Sequence, residues 1–185
     1  MTQLPTLPQA SAEQRQQLLR LLAERAYRHG TFTLASGRTS DHYVNCKPVS
    51  LSGLGLALLS AQMLELVEPQ AVAVAGLTLG ADPLVCAVSA AAYADGTHWT
   101  GFYVRKEAKK HGLQHWIEGP FIEEGTPVAI VDDVLTSGGS MLTALEKARA
   151  AGAEVVAALV VVDREEDDGR AKVEAEMGGA PLHAL

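Results

Sequence analysis

Val128-Ala129-Ile130-Val131-Asp132-Asp133-Val134-Leu135-Thr136-Ser137-Gly138-Gly139-Ser140 is the stretch that decides how this chain folds. Four apolar residues run into two adjacent carboxylates, and a small hydroxyl- and glycine-rich turn follows. Met141, Leu142, Leu145 and Ala148 then recur at helical spacing, with Gly152 placed to end the helix. The pattern predicts a buried strand over 128–134, an acidic strand end, a tight loop and a helix N-terminus. Such a loop offers unpaired backbone N–H groups and the positive end of a helix dipole, both of which favour a phosphate. Thr136, Ser137 and Ser140 add hydroxyl donors, and Gly138 and Gly139 let an anion approach the backbone. Asp132 and Asp133 cannot bind that phosphate. They suit hydroxyl groups or a hydrated cation beside it, so a sugar phosphate satisfies both halves.

The run resembles the phosphoribosyl pyrophosphate (PRPP) signature of the type I phosphoribosyltransferases. The resemblance implies that Asp132 and Asp133 hold the ribose 2- and 3-hydroxyls and that residues 134–140, from Val134 and Leu135 through Ser140, bind PRPP, with Thr136 to Ser140 cradling its 5-phosphate. Other phosphate motifs fit less well. T-S-G-G-S lacks the lysine of a P-loop. Gly53-Leu54-Gly55-Leu56-Ala57-Leu58 lacks the third glycine of a dinucleotide fingerprint and reads as the start of a helix.

With 185 residues and 48% apolar composition, the chain fits one domain with a sizeable core. Its net charge of −7 argues against a nucleic-acid binder. No apolar run is long enough to span a membrane, and Met1 to Ala10 lacks the features of a signal peptide. Cys46 and Cys86 match no metal or redox spacing and read as two buried or part-buried thiols in a reducing cytoplasm. The six histidines form no zinc pattern.

Along the chain, Ser11 with Gln14 predicts a capping box for a first helix, with Gly30 closing it. Phe32 to Lys47 suggests short strands. A second helix is expected over 53–67, a fully apolar strand over 71–75, a loop over 76–83 and a largely buried helix over 84–93. A strand over 99–104, a polar cationic loop over 105–114 and a returning hairpin arm over 116–121 follow. Glu154 to Asp163 is a long β-branched strand. This alternation implies an α/β fold with a mostly parallel central sheet flanked by helices, whose ligands sit at the carboxyl ends of the strands. The resemblance adds a small N-terminal hood, so that within one domain over 1–185 the N-terminal helix and hood segment cover about 1–50 and the core about 51–170.

Arg105, Lys106, Lys109 and Lys110 put four of the fifteen Lys and Arg residues into six positions. Composition alone fits a solvated surface loop, but this loop follows a strand and so projects from the end where the phosphate site belongs. F-Y-V-R-K-E-A-K-K-H-G closely resembles the catalytic loop of the orotate phosphoribosyltransferases. The resemblance implies that Arg105, Lys106, Lys109 and His111 contact pyrophosphate, with Lys109 the main catalytic cation, and that the loop crosses a homodimer into the neighbour's site. Cations that meet charge as it develops on a leaving group lower the barrier. F-T-L-A-S-G-R followed by Tyr43 is similar to the family's segment over the pyrimidine, with Ala35 where many members have lysine and Lys47 or Arg38 as substitutes. Gly76 to Pro83 resembles the pyrophosphate loop, with Gly80 where some relatives have lysine. Arg164 matches the arginine that grips the orotate carboxylate, and Thr136 a second orotate contact; a guanidinium pairs a planar carboxylate through two hydrogen bonds.

Taken together, the resemblance implies transfer of the phosphoribosyl group of PRPP to orotate. Mg2+ would be held by PRPP, with Asp132 and Asp133 acting on it through water, without nucleic acid or membrane partners. Two rivals differ in recognisable ways. A phosphoribosyltransferase for another base would not need Arg164, and a non-catalytic PRPP sensor would dispense with the cationic loop.

Overall fold

Alternation along each strand decides which residues the sheet buries on which side. The computed structural model describes residues 10–33, 39–108 and 116–185. Helix α1 (Ala12–Arg25) starts at Ser11, whose hydroxyl accepts from the Gln14 amide at 3.2 Å. It ends at Arg25, before the expected Gly30. That glycine lies inside strand β1 (Tyr27–Thr33), at a register shift between His29 and Phe32. The tyrosine, phenylalanine and threonines around it suit a strand, and a glycine tolerates the bulge. β1 pairs antiparallel with β2 (Thr39–Val44) as a separate two-stranded sheet.

A short α2 (Lys47–Ser50) leads into α3 (Gly53–Leu66). Ser52 caps α3 through the Gly55 amide, and a Cβ on Gly55 would lie 2.3 Å from the Val49 carbonyl oxygen. The glycine-rich segment is thus a helix start packed against α2. Strand β3 (Ala73–Leu77) follows, shifted from the expected 71–75 by its pairing with β4 (Thr100–Val104). Between them α4 (Asp82–Ala94) begins with Pro83 in its first turn, where a missing N–H costs nothing. β5 (Ile117–Glu118) returns antiparallel to β4, as the expected hairpin arm does.

The signature strand is β6 (Thr126–Leu135), its helix α5 (Gly139–Ala150), and the β-branched run β7 (Ala153–Asp163). With a last strand β8 (Leu182–Ala184), the larger sheet has the order β5-β4-β3-β6-β7-β8, parallel except for β5. Ala73, Ala75, Val128, Ile130 and Val160 share a core with Met141 and Leu145 of α5. Val74, Ala129, Val131, Leu159 and Val161 pack with Leu58, Met63, Leu84 and Val88 of α3 and α4. Each large aliphatic side chain removed from water contributes about 2 kcal/mol, so both helical layers are held firmly.

The last nineteen residues, to which the sequence assigns no element, carry helix α6 (Gly169–Met177) and strand β8, which extends the sheet alongside Ala158 to Val160. β8 is short and α6 strongly charged, so neither shows a clear hydrophobic period. The expectation for the two thiols needs correction. Cys46 is fully buried, but Cys86 is exposed: it lies on α4 at the side facing β4, with its Sγ 2.7 Å from the Tyr103 hydroxyl.

Candidate functional site

Leu77 pairs with Val104 and Leu135 with Asp163, so four parallel strands release their loops at one edge of the sheet. There β6 turns into α5 through Thr136, Ser137 and Gly138. Gly138 caps the helix with φ of 82°, a left-handed conformation that favours glycine. A Cβ on Gly169 would lie 1.9 Å from the Thr136 carbonyl oxygen, so α6 is seated directly against this loop. Asp132 and residues 134–141 line a cavity of about 190 Å3 that opens there. One small space thus combines a helix N-terminus, three hydroxyls and a carboxylate.

The two carboxylates differ. Asp132 borders the cavity, is 6% exposed and accepts from the Asp133 amide at 2.9 Å. Burial, and then the charge of Asp133, push its carboxyl up to about 7. Asp133 turns towards the loop after β3. Gly80 abuts it so closely that a Cβ there would lie 2.6 Å from its Oδ1. On another side the Lys47 ammonium approaches its Oδ2 at 3.4 Å. Cys46, beneath the pair, donates weakly to the Asp133 carbonyl at 3.7 Å, and burial pushes its thiol up to about 12.

Arg164 emerges beside the loop, its amide donating to the Leu135 carbonyl at 2.9 Å. Its side chain is 8% exposed. Nη2 donates towards Ser40 Oγ, the His42 carbonyl and Glu166 Oε1 at 3.1, 3.2 and 2.8 Å. The guanidinium therefore joins the end of β7 to the β1–β2 hairpin. Arg105 leaves β4 but pairs with Glu118 at 2.6 Å and donates to the Glu107 carbonyl. Lys106 is exposed. Lys109 and His111, like Ala35 and Arg38, lie outside the described residues.

Asp132 to Ser140 and Arg164 thus come together, whereas Arg105 is engaged on the β4–β5 hairpin. Sequence reasoning missed Ser40, Glu166 and Gly169 as neighbours of these groups. The alternation of Ser40 and His42 on one face of β2 is the signal that could have found the first.

The mostly parallel sheet with a glycine-rich loop and an acidic pair at its carboxyl edge belongs to a phosphoribosyltransferase: the family model for the phosphoribosyl transferase domain matches residues 54–176. The orotate phosphoribosyltransferase of Thermosynechococcus vestitus is 48% identical over 179 residues, spanning 97% of this chain and 93% of the relative. That of Mycobacterium tuberculosis, solved with Fe(III) dicitrate, superposes with a TM-score of 0.78 at 37% identity, covering 93% and 97% of the two chains. A further structure of the Mycobacterium tuberculosis enzyme holds 5-phospho-alpha-D-ribosyl 1-diphosphate; it superposes at 0.72 with 32% identity over 92% and 94%. The chain belongs to the orotate phosphoribosyltransferase family.

Proposed function

We propose that the 185 residues act as one catalytic domain that joins PRPP to orotate, giving orotidine 5′-monophosphate and pyrophosphate. The observation that carries the reading is the loop of Thr136, Ser137 and Gly138, backed by α6 and opening on Asp132. Backbone N–H groups of residues 136–140 and the hydroxyls of Thr136, Ser137 and Ser140 hold the 5-phosphate. Asp132 and Asp133 accept from the ribose 2- and 3-hydroxyls. Arg164 and Thr136 take the orotate carboxylate, which suits a nearly buried guanidinium beside the loop.

As a base nitrogen bonds to ribose C1, the C1–O bond to pyrophosphate breaks and its electron pair leaves with the pyrophosphate, while the proton that nitrogen carried is released to solvent. The transition state resembles an oxocarbenium ion, and no covalent nucleophile is needed. Arg105, Lys106, Lys109 and His111 meet the charge on the leaving group, Lys109 foremost. Among the described residues no three-ligand cluster for a metal occurs. A pair of carboxylates fits magnesium that PRPP itself holds, reached through water. When bound, magnesium would supply positive charge against the departing pyrophosphate. We read the assembly as a cytoplasmic homodimer whose 105–111 loops reach across to the partner's site.

Calorimetric titration with ribose 5-phosphate tests the site. Saturable binding that competes with PRPP and is lost in Ser137→Glu, which places a carboxylate in the loop, supports the reading. Binding untouched by Ser137→Glu overturns it.

A further inference from the structure

Lys47, which the sequence offers as a substitute for the lysine missing at Ala35, stands in the structure beside the acidic pair. It opens the short α2, is about half exposed, and holds its ammonium 3.4 Å from Asp133 Oδ2. Asp133 is wedged: the backbone at Gly80 closes one side of its carboxylate, and Lys47 stands at another. A Cβ at position 80 would lie 2.6 Å from Asp133 Oδ1, and residues 76–83 carry no basic side chain. The cation beside Asp133 comes instead from α2.

Ligand chemistry makes such a cation useful. In an α-D-ribosyl 1-diphosphate the diphosphate lies on the same face of the ring as the 2- and 3-hydroxyls. A group that holds those hydroxyls therefore stands close to the diphosphate. Two carboxylates facing a multiply charged anion repel it, and the cost grows as water is excluded. A lysine on a flexible stem offers three donors to split between carboxylate and phosphate oxygens.

We propose that Lys47 is a PRPP-binding residue: it leaves its pairing with Asp133 in part to contact the diphosphate, offsetting the repulsion between that group and the acidic pair. The inference rests on the PRPP site described above. It assigns to α2 a share of the diphosphate site otherwise made by the loops after β3 and β4.

The test is binding in the absence of turnover, with PRPP, inorganic pyrophosphate and ribose 5-phosphate titrated separately into wild type, Lys47→Met and Lys47→Arg. Removing one charge-assisted hydrogen bond at a half-exposed site corresponds to about a tenfold weakening. Lys47→Met should weaken PRPP and pyrophosphate by that factor and leave ribose 5-phosphate and orotate unchanged, with Lys47→Arg recovering most of the affinity. Equal weakening of PRPP and ribose 5-phosphate would mean that Lys47 acts only by orienting Asp133, and the proposal fails. It fails also if all affinities are unchanged. Should ribose 5-phosphate not bind wild type at all, the phosphate-loop reading is what fails. Amine-reactive labelling of the wild-type protein gives an independent answer: pyrophosphate should shield Lys47 from modification, and undiminished labelling at saturation contradicts the proposal.

Discussion

Asp132 sits where a carboxylate is least comfortable, 6% exposed with a second carboxylate next in the chain. Its proton is released near 3.8 in an unfolded chain and near 7 in the folded one. Between those values the folded state binds the extra proton. The stability this confers is therefore complete below 3.8 and lost as pH rises through about 7. Thermal unfolding should show the unliganded protein growing less stable across that window, and Asp132→Asn should remove this part of the slope; an unaltered slope means that Asp132 is not the titrating group. If the ionised carboxylate accepts the ribose hydroxyls, PRPP affinity should also strengthen through about pH 7, and less so in Asp132→Asn. Arg164 makes a different prediction. Replacing it with alanine removes a bidentate interaction worth about 2 kcal/mol, roughly thirtyfold, so the KM for orotate should rise by about that factor while the KM for PRPP stays put. Equal rises in both would place Arg164 in fold maintenance through Ser40 and His42 rather than in base recognition. Lys109→Ala should lower turnover by about 100-fold or more with a smaller change in KM. Steady-state rates unchanged by the substitution would remove Lys109 from the chemistry.

Among the elements, the strand–loop–helix around Asp132 was legible because every local signal agrees. The apolar run has strand length, Gly138 stands where the backbone is left-handed, and the helical period resumes at Met141. The capped start of α1, the hairpin arm at β5 and the helical character of Gly53 were equally readable from short-range chemistry. What escaped reading depends on contacts between segments distant in sequence. Gly30 ended no helix, because β1 finds its partner only once β2 is in place. α6 and β8 have no period strong enough to announce them, yet α6 forms the back wall of the loop of Thr136, Ser137 and Gly138. Gly169→Ala tests that role. Its Cβ would be driven to 1.9 Å from the Thr136 carbonyl, so backbone must move and PRPP binding should fall sharply. Isothermal titration reads this, and an affinity equal to wild type would show that the loop does not depend on α6. Gly178, which has a left-handed φ of 65° and nothing within 4 Å of its added Cβ, serves as the control, since substitution there strains only a surface turn.

For the molecule as a whole, the proposed substrate positions follow from topology. Parallel strands bring three loops and the end of β7 to one edge, and the β1–β2 hairpin closes over that edge through Arg164. The sequence could place each loop after a strand but could not say that Arg164 would meet Ser40, or that Lys47 would meet Asp133, because those pairs join segments far apart in the chain. If catalytic loops cross a dimer, mixing Lys109→Ala with Asp133→Asn protein should regenerate activity, since hybrid dimers contain one site with neither defect. Mixtures no more active than their parents would mean that each subunit serves itself. The central claim, phosphoribosyl transfer to orotate, is tested most directly by following the ultraviolet absorbance of orotate with PRPP and magnesium. A fall in absorbance that needs both PRPP and metal, with pyrophosphate released in equal amount, is the predicted result. Unchanged orotate absorbance in a folded protein that binds PRPP would contradict the account.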